Sequence, residues 1–295
     1  RKPTLKGSGT VLERTHSEQP NQFNHGFTYE AVMSEPVRLD IEDGVATITL
    51  NRPENRNALT AEMSGAIVDA VDEAEAADDV RCLVVTGAEG SFCAGGDVDA
   101  MTERLEESVP LHEAVERIQL RTSKAIERIA AFHLPTIAKV DGVAYGAGAN
   151  LAIAPDITLA SGDAHISFGF RQVGLAVDTG TSYLLPRQVG TSKAKELVLT
   201  GELLDAEAAE ELGLFNRVFE ADFDQQAAEF LEPIATGPTV ALRTSKRLIE
   251  QGFDTSLSDA IANEAAAQAS VLDSRDHEEG ATAFLEGREP EFEGR

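Results

Sequence analysis

The sequence has few basic residues and no long apolar run. Of its 295 residues, 51 are acidic and 25 are basic, which gives a formal net charge of −26. Such a surface repels nucleic acid and anionic membranes, so neither is expected as a partner. No stretch reaches the length of a membrane-spanning helix, and no charged-then-apolar signal opens the sequence. We therefore expect a cytoplasmic protein.

Cysteine is also scarce, with only Cys82 and Cys93. Two cysteines in apolar surroundings do not make a disulfide framework, and both are expected to be reduced. The acidic residues are spread through helical segments rather than gathered in one tail. This pattern allows two interpretations: a solvated surface adapted to concentrated salt, as in halophilic proteins, or the surface of an ordinary acidic enzyme.

Several common catalytic motifs are missing. The segment HEAVE at 112–116 has no second histidine at the spacing of a zinc-protease helix. The sequence contains no phosphate-binding G-x-x-x-x-G-K-[ST] loop, no G-x-S-x-G elbow and no cysteine pair at zinc spacing. The six histidines are scattered. We expect neither a metal site nor a bound cofactor.

The pattern along the chain predicts an α/β core followed by helices. Residues 1–35 lack periodicity and are predicted to form a flexible N-terminal extension. From residue 37, two alternating segments flank Asp43-Gly44, as in a β-hairpin, and strands then alternate with helices, including a long helix over about 110–131. After about residue 190 the pattern is helical. We assign the core to 36–235 and the helical part to 236–295.

Two glycine-rich loops are candidates for a functional site. SFCAGGD (91–97) and DGVAYGAGANL (141–151) each follow a predicted strand. Glycine permits conformations that point backbone N–H groups into a cleft, and the second loop leads into a helix N-terminus. Taken singly, the first loop could be a tight turn with Asp97 capping the next helix, and the second could serve close helix–strand packing. Together, the two loops could converge on one carbonyl oxygen.

These loops belong to a longer resemblance. NRPENRNAL, SFCAGGD, DGVAYGAGANLAIAPDI and LLPRQVGTSKAKELVLTGELLDAEAAEELGLFNRV resemble the enoyl-CoA hydratase/isomerase (crotonase) family, as does the closing DSRDHEEGATAFLEGREPEF. The resemblance covers about 37–295. It implies an α/β fold, a crotonase-like ββα spiral core with a helical C-terminal trimerisation part, in homotrimers or dimers of trimers. It also implies an acyl-CoA substrate, as in fatty acid metabolism, with no cofactor beyond the coenzyme A thioester itself.

The resemblance also implies roles for individual residues. The N–H groups of Gly96 and Ala147 would form an oxyanion hole that polarises the thioester carbonyl and stabilises an enolate. The segment 51–59 is similar to the loop of the family that lies near coenzyme A. The residues expected to contact the substrate are Arg52, Arg56, Ala94, Gly95, Asp97, Gly146, Asn150 and Phe170.

The sequence departs from the hydratases of this family at two positions. The two glutamates that add water to the double bond fall at Asn150 and Phe170, where no carboxylate is present. An acid remains at Asp178, as in isomerase branches that act on ring-epoxide phenylacetyl-CoA or 3-enoyl-CoA, where one aspartate moves a proton between carbons. Apolar neighbours, including Val173 and Leu175, are expected to desolvate Asp178 and raise its pKa. The alternative is that Asp178 caps the helix opening near 179–180.

Three functions follow from these features. The first is a carbon–carbon double-bond isomerase with Asp178 as proton shuttle. The second is a 2-enoyl-CoA hydratase, a lyase that takes its acids from Glu103 or Glu106 on a mobile 98–110 segment. The third is a non-catalytic acyl-CoA-binding protein.

Overall fold

The computed structural model describes residues 35–97 and 109–295. The predicted extension 1–35 lies outside the described residues except for its last residue, and so do Glu103 and Glu106. The strands are β1 Val37–Glu42, β2 Val45–Leu50, β3 Cys82–Gly87, β4 Thr136–Val140, β5 Val143–Tyr145, β6 Ile157–Ser161, β7 His165–Ser167, β8 Leu204–Asp205 and β9 Arg217–Phe219. The helices are α1 Ala61–Ala76, α2 Leu111–Arg117, α3 Ser123–Ala130, α4 Ala147–Ile153, α5 Thr181–Thr200, α6 Ala206–Glu211, α7 Phe223–Ala235, α8 Thr239–Gly252, α9 Leu257–Val271 and α10 Arg275–Glu286.

The larger sheet has six strands in the order β1-β2-β3-β4-β6-β9. The β1–β2 hairpin is antiparallel, and its predicted Asp43-Gly44 turn is confirmed, with φ of 49° and 80° at the two residues. These positive angles match the twist of flanking strands, which explains the Asp-Gly pair. All later neighbours are parallel. Both faces are buried: Ile48 and Val85 pack in the main core, and Val84 packs with Ala227 of α7.

A second layer of short extended segments lies beside this sheet. β5 pairs in parallel with β7, which pairs with β8. Cys93 forms a parallel bridge with Ala144, and Leu59 forms one with Gly96. Each turn of chain therefore contributes a long strand, a short second-layer segment and a helix. The segments at Leu59, Gly96 and Cys93, β5 and β7 run parallel, so the loops that follow them emerge at the same edge, whereas β8 is antiparallel to β7.

The helical prediction was correct in outline and wrong in detail. The segment predicted as one helix over about 110–131 is α2 and α3 joined by a π-helical stretch, Ile118–Thr122, whose last two carbonyls accept hydrogen bonds from the Ser64 hydroxyl. The helix predicted to open near 179–180 begins at Thr181, and the helical segment predicted after residue 190 is its second half, separated from the first by a break at Gly190 (φ 76°, ψ 160°). β8 and β9 were missed because strands of two or three residues carry no periodic signal.

The C-terminal part consists of α8, α9 and α10, and an ion pair and several hydrogen bonds attach it to the core. Lys246 of α8 forms an ion pair with Asp156 at 2.8 Å and donates to the Leu134 carbonyl. Arg81 donates to the Thr239 hydroxyl and to two carbonyls, one of them at Phe292. No helix within residues 35–97 and 109–295 is long and apolar enough to cross a membrane.

Candidate active site

Two loops of the second layer present backbone donors at one edge. Among the described residues, none accepts a hydrogen bond from the N–H of Gly96 or of Ala147. Gly96 is held in place by its neighbours, because Leu59 N–H donates to the Gly95 carbonyl at 2.7 Å and Asp97 N–H to the Leu59 carbonyl at 3.3 Å. Ala147 opens α4, where N–H groups lack intrahelical partners. The arrangement offers two donors to an oxygen that develops negative charge.

Glycine is required where the two loops touch. Gly95 has φ +95°, and a Cβ there would lie 2.7 Å from the Tyr145 carbonyl oxygen. A Cβ at Gly148 would lie 2.1 Å from the Cys93 carbonyl oxygen. These approaches place the backbone of 93–96 directly against the start of α4. The interpretation of 141–151 as close packing is thus correct, and the same packing brings Gly96 and Ala147 together.

The loop 51–59 supports the first donor loop from outside. Arg52 forms an ion pair with the nearly buried Asp97 at 2.8 Å and donates to the Ala58 carbonyl at 3.0 Å, so its charge is largely satisfied within the protein. The Arg56 carbonyl accepts from Ala94 N–H at 3.0 Å. The Arg56 side chain is exposed and forms no ion pair with a described residue. Of the two predicted cations, Arg56 is the better placed for an anionic ligand.

A residue missed from the sequence, Asn57, holds this loop to the next one. It is fully buried with φ +54°, a conformation that asparagine tolerates better than most residues. Its Nδ2 donates to the Ala88 carbonyl at 3.0 Å, and its Oδ1 accepts from Arg52 N–H at 2.9 Å. An asparagine in a polar loop before a helix was the available signal.

Replacing this asparagine should destabilise the site and the fold. Asn57→Ala leaves buried backbone groups unpaired and puts alanine at positive φ, so we expect a loss of about 2 kcal/mol or more in the free energy of unfolding. Urea denaturation measures the loss. Asn55→Ala is the matched control, since the Asn55 side chain bonds to no described residue, and it should change stability by less than about 0.5 kcal/mol. Equal losses in the two variants would contradict the assigned role.

Neither position that carries a glutamate in hydratases offers an acid. Asn150 on α4 is fully buried, and its Nδ2 lies 2.6 Å from Thr179 Oγ1, 2.8 Å from Thr181 Oγ1 and 3.1 Å from the Asp178 carbonyl oxygen. It therefore holds the turn 178–181, a role that was not predicted from the sequence. Phe170 is buried in a short 3-10 turn, with its ring tip about 4.0 Å from a Cβ position at Gly146.

Asp178 lies on the turn that Asn150 holds, and it does not cap the following helix. The N-cap of α5 is Gly180, with no side-chain cap, so the capping interpretation was wrong. The Asp178 carbonyl accepts from Thr181 N–H at 3.0 Å, and its Oδ1 accepts from Thr179 Oγ1 at 3.2 Å. Because Asn150 lies one helical turn beyond Ala147, this hydrogen bonding puts Asp178 next to the second donor loop.

The turn is strained at the residue after the carboxylate. Thr179 is buried and has φ +47°, which is unfavourable for a β-branched side chain and costs of order 1–3 kcal/mol. Thr179 and Thr181 were not singled out from the sequence, although the hydroxyl-rich run after Asp178 was visible. Strain that persists beside an acid is typical of functional sites.

Partial burial raises the pKa of the Asp178 carboxyl above its ordinary value, and the hydrogen bond from Thr179 opposes the rise. The direction confirms the expectation from the sequence. The apolar side chains expected to cause it contribute less than predicted, since Val173 is 60% and Leu175 49% exposed.

The raised pKa predicts a pH dependence of stability. Between the ordinary and the raised pKa, the folded state binds more protons than the unfolded state, so stability falls as pH rises through this window. Asp178→Asn stays neutral and keeps an oxygen for the Thr179 hydroxyl. We expect the two proteins to be equally stable in acid and the variant to become the more stable one as pH rises towards neutrality. Urea denaturation across this range tests it, and a growing advantage of Asp178 would contradict it.

The fold and these contacts define an α/β protein in which two backbone donors and one partly desolvated carboxylate share an edge of a spiral core. The model of the enoyl-CoA hydratase/isomerase family matches residues 40–295. The 1,2-epoxyphenylacetyl-CoA isomerase of Escherichia coli is 37% identical over 268 residues, covering 89% of this chain and all of that protein. A protein of Rhodobacter capsulatus named probable enoyl-CoA hydratase is 36% identical over 261 residues, covering 88% of this chain and 98% of that one.

The structural comparison agrees. The crystal structure of an enoyl-CoA hydratase from a Polaromonas species has a TM-score of 0.81 and 31% identity, covering 87% of this chain and 99% of that one. The chain belongs to the enoyl-CoA hydratase/isomerase family and has its crotonase-type fold, with a helical C-terminal region.

Proposed function

We propose that this enzyme shifts a carbon–carbon double bond in an acyl-CoA ester, with Asp178 as the single proton-transfer group. Asp178 removes a proton from the α-carbon of a 3-enoyl thioester, and the electron pair moves into an enolate whose oxygen is held by the N–H groups of Gly96 and Ala147. Asp178 then returns the proton to the γ-carbon as the double bond forms between the α- and β-carbons. The proton is conserved, and no oxidant, metal or added water enters.

This proposal depends on how many carboxylates the site offers for proton transfer. Hydration needs a group that activates water and a group that protonates carbon, whereas a double-bond shift needs one group that gives back the proton it takes. At the two positions expected to carry glutamates, Asn150 is locked in hydrogen bonds and Phe170 cannot transfer a proton. Of the described acids beside the donor loops, Asp97 in the first loop is paired with Arg52, whereas Asp178 beside the second loop forms no ion pair with a described residue. The raised pKa of Asp178 suits a group that must both accept and donate a proton.

The coenzyme A part of the substrate would approach along the loop 51–59. Arg56 offers an exposed cation there, on a protein whose net charge of −26 otherwise repels anions. We also propose a cytoplasmic homotrimer or dimer of trimers that uses no cofactor besides the coenzyme A of its substrate. The C-terminal helices support self-association because they expose large apolar side chains, namely Ile249, Phe253, Leu257, Ile261 and Leu272.

The competing function is hydration of 2-enoyl-CoA, and the name of the Rhodobacter capsulatus relative favours it. Its acids would have to come from outside the described residues, where Glu103 and Glu106 lie. A panel of CoA esters separates the possibilities. Formation of conjugated 2-enoyl-CoA from 3-enoyl-CoA, at a rate far above crotonyl-CoA hydration, is expected. Faster hydration would favour the hydratase, and binding without turnover of any ester would favour the non-catalytic protein.

A further inference from the structure

Thr179 joins a buried amide to the carboxylate of Asp178. Its hydroxyl oxygen lies 2.6 Å from Asn150 Nδ2 and 3.2 Å from Asp178 Oδ1. Thr179 is 4% exposed, so both contacts of its hydroxyl are sheltered from water. The directions of the two hydrogen bonds decide what the residue does.

The orientation of the Asn150 amide follows from its neighbours. The same nitrogen contacts the Asp178 carbonyl oxygen at 3.1 Å, and a carbonyl oxygen can only accept. The group facing it must therefore be the NH₂ group of Asn150. Its two N–H groups are shared among this carbonyl oxygen, Thr181 Oγ1 at 2.8 Å and Thr179 Oγ1, which is the nearest acceptor. An ionised carboxylate oxygen can only accept, so the single hydroxyl proton of Thr179 is directed to Asp178 Oδ1.

We propose that Thr179 is a positioning residue that fixes which oxygen of Asp178 transfers the proton. Its donated hydrogen bond occupies Oδ1 and leaves Oδ2, for which no described residue is a hydrogen-bond donor, to face the substrate. The hydrogen bonds from Asn150 to Thr179 and from Thr179 to Asp178 also stabilise the ionised form of this partly buried carboxyl. This inference rests on the proposed proton shuttle and adds the device that orients it.

The backbone supports this choice of residue. A position with φ +47° suits glycine or asparagine, and a β-branched residue there is strained. Valine would match the shape of threonine without the hydroxyl, and serine would keep the hydroxyl. A strained threonine is expected at this position if its hydroxyl must contact Asp178, because the turn places the hydroxyl there only at this strained backbone conformation.

The test compares pH profiles of kcat/KM. Thr179→Val removes the donated proton and keeps the shape, so the acidic limb should move to higher pH, with about a tenfold loss at the acidic end. At the plateau kcat should fall severalfold while KM changes little, because the carboxylate is no longer held. Thr179→Ser should restore the limb. If valine prevents folding, Thr179→Gly accepts the positive φ, lacks the hydroxyl and should shift the limb in the same way.

The matched control is Thr181→Val. Thr181 is equally buried and bonds to Asn150 and to the Asp178 carbonyl, but it does not touch the carboxylate. It should reduce stability and leave the limb in place. An unmoved limb in Thr179→Val and Thr179→Gly, or an equal shift in Thr181→Val, would overturn the inference. The proposed isomerase would survive either result, since it is tested separately by the activity of Asp178→Asn and by the products that the enzyme forms from CoA esters.

Discussion

Asp178→Asn should abolish exchange of solvent deuterium into 3-enoyl-CoA and reduce isomerisation about 10²- to 10⁴-fold, the usual contribution of a positioned acid–base group. Asparagine keeps the size of the side chain and can accept from Thr179, so the turn is retained, but it cannot take a proton. Binding of CoA esters should be nearly intact. Exchange is followed by mass spectrometry and binding by calorimetry.

The control for this variant is Asp163→Asn. Asp163 is an exposed aspartate in the tight turn between β6 and β7. The control carries the same change of charge and should retain full exchange and turnover. Near neutral pH, Asp178→Asn is also expected to be more stable than the unmodified protein. Its loss of activity would therefore reflect the missing base and not unfolding. Full activity in Asp178→Asn would remove the proton shuttle.

Ala147→Pro should lower kcat about 10²- to 10³-fold, the cost of one donor in an oxyanion hole. A backbone N–H cannot be deleted by an ordinary substitution, but proline lacks it and is tolerated at the first position of a helix, where Ala147 lies. The helix α4 should therefore persist. A chromophoric enoyl-CoA should also lose part of the spectral red shift that a polarised thioester carbonyl produces on binding.

Ala147→Gly is the comparison, because it changes the same side chain and keeps the N–H. It should lose far less than the proline variant in both turnover and spectral shift. Thermal unfolding of the two variants checks that α4 and the contact between Gly148 and Cys93 are retained. Proline and glycine variants with the same kcat would mean that the Ala147 N–H does not bind the substrate oxygen.

The sequence could predict features that are determined by a few neighbouring residues. Asp43-Gly44 marked the first hairpin, and Gly95 and Gly148 marked loops in which a side chain would collide with the neighbouring backbone. The spiral itself is hidden from sequence periodicity, and it entered through family resemblance. Its physical basis is visible in the parallel bridges that stack the second-layer segments.

Features that depend on tertiary hydrogen bonds were missed. The role of Asn150 in holding a turn gave no local signal, because 28 to 31 residues of chain separate it from the residues that it binds. Thr179 gave no signal, since positive φ at a β-branched residue runs against local preference. Such conflicts between local propensity and structure are expected at functional sites, where the surrounding fold imposes the conformation.

The path of one proton tests the proposed chemistry most directly. A 3-enoyl-CoA deuterated at the α-carbon is converted in ordinary water, and the label at the γ-carbon of the product is measured. If Asp178 carries the proton between the two carbons, part of the label should reach the γ-carbon, and this transfer should vanish in Asp178→Asn. A wild-type product that is hydrated, or label transfer that persists in Asp178→Asn, would contradict a single-carboxylate isomerase.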